Sequence, residues 1–324
     1  MNVPMTSTHF RTLQSITLGL TITLCLCTQY GWAASIKNTS STLTPPLEQT
    51  SKGVSQQFIL SSKYTPHHYL INLYIPSTPT PKMGFPVIYM LDGNAVFDSA
   101  RNIAQAIGGG SSKIGLDPVV IVAIGYAGDS LFNAQQRALD YTPTTPSEKD
   151  KTNPNYKYGG AEQFLKFIQT ELKPQIFNRT RINNEQQTLF GHSFGGLFVL
   201  NTFFKQPNSF QRYVAASPSL WFDNNLLFRE QQDWRKQSSI IKSPTYLLTT
   251  VGTAEGRDSP RSPNTVSGRD FFAGFSRVNT NKLHSWHFYH PAEQHITNLY
   301  ASIPKALLLA SCNSLANCQK LLDE

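Results

Sequence analysis

Short runs of apolar residues alternate along the chain with amphipathic stretches, and run length separates strands from helices. Residues 57–60 and 68–75 read as paired strands with a turn from Ser61 to Pro66. Residues 85–91 and 118–124 are continuous apolar runs, as expected of strands buried on both faces. Residues 95–107 have helical spacing, 160–177 predict one amphipathic helix, and 188–190 a third buried strand. Then come a helix over 196–205, strands over 213–216, 245–251 and 285–289, and a helix over 296–310. Strands separated by helical stretches predict an α/β fold: a mostly parallel central sheet with helices on both faces. No repeat or shift in composition divides residues 56–324, so they are expected to form a single domain. Two polar stretches, 126–158 and 253–281, are the expected loops over a site.

The N-terminus departs from this pattern. Arg11 precedes a mostly apolar run from Ile16 to Cys27, followed by Gly31-Trp32-Ala33-Ala34. One positive charge, a short apolar run and small residues mark a signal peptide over 1–33, cleaved after Ala33. The run falls short of the roughly 20 apolar residues that span a bilayer, so no stable membrane insertion is expected after cleavage. Residues 34–55 are expected to form a flexible leader, and the mature protein to be periplasmic or secreted.

Composition narrows the classes. With 324 residues, 40% of them hydrophobic and 15% charged, the chain can fill a core and is neither disordered nor fibrous. The net charge of +8 suits an anionic small molecule, but without a block of basic residues no nucleic-acid partner is expected. Export would remove Cys25 and Cys27. The remaining pair, Cys312 and Cys318, then predicts a disulfide that pins the C-terminal tail.

The sharpest chemical signal is Gly191-His192-Ser193-Phe194-Gly195, a G-x-S-x-G sequence between a buried strand and a helix. Small residues permit the sharp turn that lifts a serine hydroxyl above the sheet. A helix start there offers N–H groups to a developing oxyanion. Serine needs a base, which in this chain order should lie near the C-terminus. His284, His287 and His290 belong to a strand, whereas His295 sits beyond its end, where ligands of open α/β sheets gather. His295 is the expected base, with His290 the alternative and His192 read as structural. The acid should follow strand 245–251; Glu255 is favoured over Asp258, and a Ser–His dyad without a carboxylate stays open.

Further blocks carry a resemblance. Residues 87–94 (Val-Ile-Tyr-Met-Leu-Asp-Gly-Asn), 137–143 (Arg-Ala-Leu-Asp-Tyr-Thr-Pro), 191–198 and 216–221 resemble the esterase D-like α/β-hydrolases, with a likeness running from about 56 to 310. Within that family the chain is most similar to the periplasmic esterases that open the trilactone of catecholate siderophores. The resemblance implies an α/β-hydrolase fold and a serine esterase with nucleophile Ser193, base His295 and no metal or other cofactor. It also implies an oxyanion hole of backbone N–H groups near Asn94 and at Phe194, and an Arg137 that faces an anionic or ferric siderophore. Phe194 stands where those enzymes often carry tyrosine, and 257–281 matches none of their blocks. A general acyl-ester hydrolase or acyltransferase is the second reading, and a binding protein with a lapsed site the third.

Overall fold

The computed structural model describes residues 48–50, 52–108, 111–236, 241–256, 265–276 and 281–323. The expected signal peptide, residues 34–47, and Arg257, Asp258 and Arg261 lie outside the described residues.

Nine strands form one sheet: β1 (Glu48–Thr50), β2 (Gly53–Ser61), β3 (His68–Pro76), β4 (Phe85–Leu91), β5 (Val120–Tyr126), β6 (Ile182–His192), β7 (Arg212–Ala216), β8 (Thr245–Gly252) and β9 (Leu283–His290). Their order is β1-β2-β3-β5-β4-β6-β7-β8-β9. β1, β2, β3 and β5 pair antiparallel, and every neighbour from β5 to β9 is parallel. The mostly parallel α/β class is thus borne out.

The helices are α1 (Gly93–Gly108), α2 (Ala134–Asp140), α3 (Ala161–Phe167), α4 (Lys173–Phe177), α5 (Phe194–Lys205), α6 (Phe222–Lys236), α7 (Val266–Ser276), α8 (His295–Ser311) and α9 (Leu315–Leu322). In β4, alternate residues enter different cores, which is why its whole run is apolar. Ile88 and Met90 pack with α1 and α8, while Tyr89 and Leu91 join Phe164, Phe198 and Tyr213 on the other face.

Several elements differ from expectation for identifiable reasons. Residues 48–50 and 53–55, placed in the leader by their polarity, pair antiparallel at the edge of the sheet. Gly53 makes this possible: at φ 150° a β-carbon would meet the Tyr74 ring at 2.5 Å. The helix expected over 160–177 is interrupted by a π-helical turn, Ile168–Leu172, just before Pro174, which has no N–H to give. β6 begins at Ile182, earlier than the expected 188–190: residues 183–187 are polar, so no apolar run marks them. The two polar stretches hold α2 and α7, and α6 opens on a left-handed turn at Asp223, Asn224 and Asn225.

The C-terminal end of α8 is fastened from the sheet. Arg212 of β7 donates to the carbonyls of Leu309, Ala310 and Cys312, and Gln186 of β6 to those of Ala310 and Cys312. The Cys312 and Cys318 sulfurs lie 1.95 Å apart, linking α8 to α9.

Candidate active site

Ser193 occupies the turn between β6 and α5 with φ 59° and ψ −115°, a backbone conformation few non-glycine residues adopt. Glycines make room for it. A β-carbon on Gly191 would run into the Gly195 backbone, and one on Gly196 would meet Pro218 Cα at 2.9 Å. The Ser193 N–H donates to the Ala216 carbonyl at 3.0 Å, tying the turn to the end of β7.

His295 is the first residue of α8, whose start is set by reciprocal bonds between Gln294 and Thr297. Its Nε2 lies 3.0 Å from Ser193 Oγ and its Nδ1 3.0 Å from Glu255 Oε2. A proton on Nδ1 satisfies the carboxylate and leaves Nε2 free to accept from the serine. His295 is half exposed, while Glu255 is buried. Glu255 Oε1 accepts from the Gly252 N–H at 2.7 Å and the Ser217 hydroxyl at 2.5 Å. The arrangement can take a proton from the serine and stabilise the resulting imidazolium.

A polar network supports the carboxylate. Asn298, wholly buried on α8, donates to Ser217 Oγ at 2.6 Å and Thr250 Oγ1 at 3.2 Å, and accepts from His290 Nδ1 at 2.6 Å. His290 therefore serves this network, whereas His295 meets Ser193. His192 donates from Nε2 to the His295 carbonyl at 2.7 Å; burial, then neighbouring His295, push it well below the usual histidine range, so it stays neutral. Ser219 is buried with its hydroxyl 3.4 Å from Ser193 Oγ. Ser217, Ser219 and Asn298 were not singled out by the sequence reading.

β4 is the sheet neighbour of β6, and α1 follows it as α5 follows β6. Gly93, Asn94 and Phe194 thus lie in first turns, where N–H groups have no intrahelical acceptor. The Asn94 side chain does not face the serine turn. It donates to the Tyr126 carbonyl and accepts from the Tyr126 N–H, both at 3.0 Å, locking α1 to the end of β5.

Arg137, which the resemblance has facing the substrate, is paired within the fold. Its Nε and Nη2 donate to the two oxygens of buried Asp92 at 2.8 and 3.0 Å, and Nη2 also donates to the His192 carbonyl at 3.3 Å. Phe132, Tyr141 and Phe194 stack their rings around the guanidinium. Burial alone would lower its pKa, but Asp92 holds it above its ordinary value.

With this geometry in view, the comparisons decide the family. The model of the "Putative esterase" family matches residues 62–257. The chain belongs to that family. It is 31% identical over 275 residues to the ferri-bacillibactin esterase BesA of Bacillus subtilis, covering 81% of this chain and 94% of that one. It is 37% identical over 156 residues to the apo-salmochelin esterase of Escherichia coli, covering 47% of each. Among solved structures, the BES protein from Bacillus cereus superposes with a TM-score of 0.73 at 33% identity, over 81% of this chain and 97% of that one. This membership makes the chain a hydrolase acting on esters, and it resembles siderophore esterases in particular.

Proposed function

We propose that this chain is an exported serine esterase that opens the trilactone of a catecholate siderophore. The observation that carries the reading is the alignment of Ser193, His295 and Glu255 through two 3.0 Å contacts. His295 Nε2 takes the hydroxyl proton as Ser193 Oγ bonds to the ester carbonyl carbon. The N–H groups of Phe194 and of the Gly93–Asn94 turn receive the oxyanion. Collapse breaks the ester C–O bond, and His295 gives its proton to the departing alkoxide. Water then attacks the acyl-enzyme, losing a proton to His295, and the carboxylic acid leaves as Ser193 recovers its hydrogen.

The siderophore substrate is supported by the relatives' activities and by the net charge of +8, which favours an anionic ligand. Export is supported by the signal-like segment 1–33, and an oxidising compartment by the Cys312–Cys318 link.

The test is hydrolysis of a catecholate trilactone, metal-free and ferric, by the mature protein and by Ser193→Ala. Ring opening that disappears in the variant is the expected result. Cleavage of simple esters with the trilactone untouched would keep the triad and overturn the substrate.

A further inference from the structure

Two turns must be held in register for an oxyanion hole to exist here. One follows β4 and carries Asp92, Gly93 and Asn94; the other follows β6 and carries His192, Ser193 and Phe194. Both are strained, with Asp92 at φ 55° and Ser193 at φ 59°. A single side chain bridges them. Arg137, from α2, engages Asp92 with two nitrogens and reaches the His192 carbonyl with one of the same two. Tyr141, just past the end of α2, adds to the clamp: its Oη accepts from the Asp92 N–H at 3.2 Å. Gly195 lies close by, where a β-carbon would come 3.7 Å from Asp92 Oδ2.

This geometry argues against a receptor for anions. The guanidinium charge is already met by a carboxylate in bidentate fashion, the strongest pairing arginine makes. The side chain is 13% exposed, with aromatic rings about it. An anionic substrate reaching Arg137 would also meet Asp92, whose repulsion offsets the attraction.

We propose that Arg137 is a positioning residue: paired with Asp92, it ties the turn after β4 to the turn after β6. The first-turn N–H groups of α1 and α5 are thereby held on one oxyanion. This rests on the serine-esterase reading.

The experiment measures kcat and KM on a neutral ester, p-nitrophenyl acetate, and an anionic one, mono-p-nitrophenyl succinate. The proteins are wild type, Ser193→Ala, Arg137→Lys, Arg137→Gln, Asp92→Asn and the Asp92→Asn/Arg137→Gln double variant. A shifted oxyanion hole should lower kcat about tenfold to a hundredfold for both esters, with KM moving less than about threefold. Lysine should fail like glutamine, because it keeps the charge and loses the fork. The double variant should be no slower than its worse parent, since the clamp breaks only once. Thermal melting of each variant separates misfolding from mispositioning, and Arg137→Lys keeps the comparison alive should glutamine unfold the protein. An Arg137→Gln protein that loses KM for the succinate ester alone, with Asp92→Asn unaffected, would overturn the proposal and restore a receptor. So would losses that multiply in the double variant. A wild type inert toward both esters and toward the catecholate trilactone sinks the serine-esterase reading, and the clamp with it.

Discussion

Glu255 meets His295 Nδ1 at 3.0 Å with one oxygen while its other oxygen is fixed by the Gly252 N–H and the Ser217 hydroxyl. The carboxylate is thus oriented by its own turn and by the residue that follows β7, independently of the histidine.

Replacing Glu255 by glutamine should therefore reverse the imidazole. With the amide oxygen kept by Gly252 and Ser217, the amide N–H faces Nδ1, which must then accept, and the proton moves to Nε2. That nitrogen can no longer take the Ser193 proton. In a Ser–His–Asp site the equivalent change costs roughly 10⁴ in kcat, and Glu255→Gln should lose about 10³-fold or more with KM little changed. Steady-state kinetics on a chromogenic ester decides it; a loss under tenfold would reduce Glu255 to a bystander.

Asn298 should show a milder and more mixed effect. Its amide serves Ser217, Thr250 and His290 in a wholly buried setting. Asn298→Ala strands these partners at about 1–3 kcal/mol for each group left unsatisfied. Melting should fall by several degrees and kcat by about tenfold. Unchanged melting with intact kcat would mean that water replaces the amide without loss.

The pattern of what sequence shows follows from burial. β4 and β5 were legible because both faces are covered, while β1 and the first half of β6 are largely polar and carry no apolar run. Ser193 stood out because a strand, a glycine-flanked turn and a helix follow one another locally. Glu255 and Asp258 could not be separated by spacing. In the structure the Glu255 N–H donates back to the Gly252 carbonyl at 3.2 Å, curling its side chain under His295. Ser217, Asn298 and the Asp92 partner of Arg137 were invisible, because each acts through a residue 38 to 81 positions away.

Buried Asp140 predicts a pH-dependent stability. Its Oδ2 accepts from the hydroxyls of Tyr69 and Tyr126, His67 lies 3.6 Å from Oδ1, and burial pushes its pKa up to about 7. A carboxyl raised on folding adds stability that is full below its unfolded pKa of about 4 and lost as pH climbs through about 7. Asp140→Asn should therefore gain on wild type across that window, by an amount on the order of a few kcal/mol at most. Urea unfolding at pH 5 and pH 8 tests this; a difference between the two proteins that does not grow with pH would refute the neutral, buried carboxyl.

Lys173 gives the opposite slope. Its Nζ donates to the Ser209 carbonyl at 2.9 Å over the Phe210 ring, and burial lowers its pKa to about 7. Between about 7 and its unfolded value near 10.5 the unfolded chain binds more protons, so stability rises with pH through that window and is least below it. Lys173→Met keeps the length of the stem and removes the charge, at the cost of leaving the Ser209 carbonyl unpaired, about 1 kcal/mol. Below pH 7 the relief of the buried charge exceeds that cost and the variant should be the more stable protein. Near pH 10.5 only the lost hydrogen bond remains and wild type should lead. Urea unfolding of both proteins at pH 6 and pH 10 should show this crossing of stabilities. A variant less stable at both values by the same margin would mean that Lys173 carries its charge in the fold at no penalty.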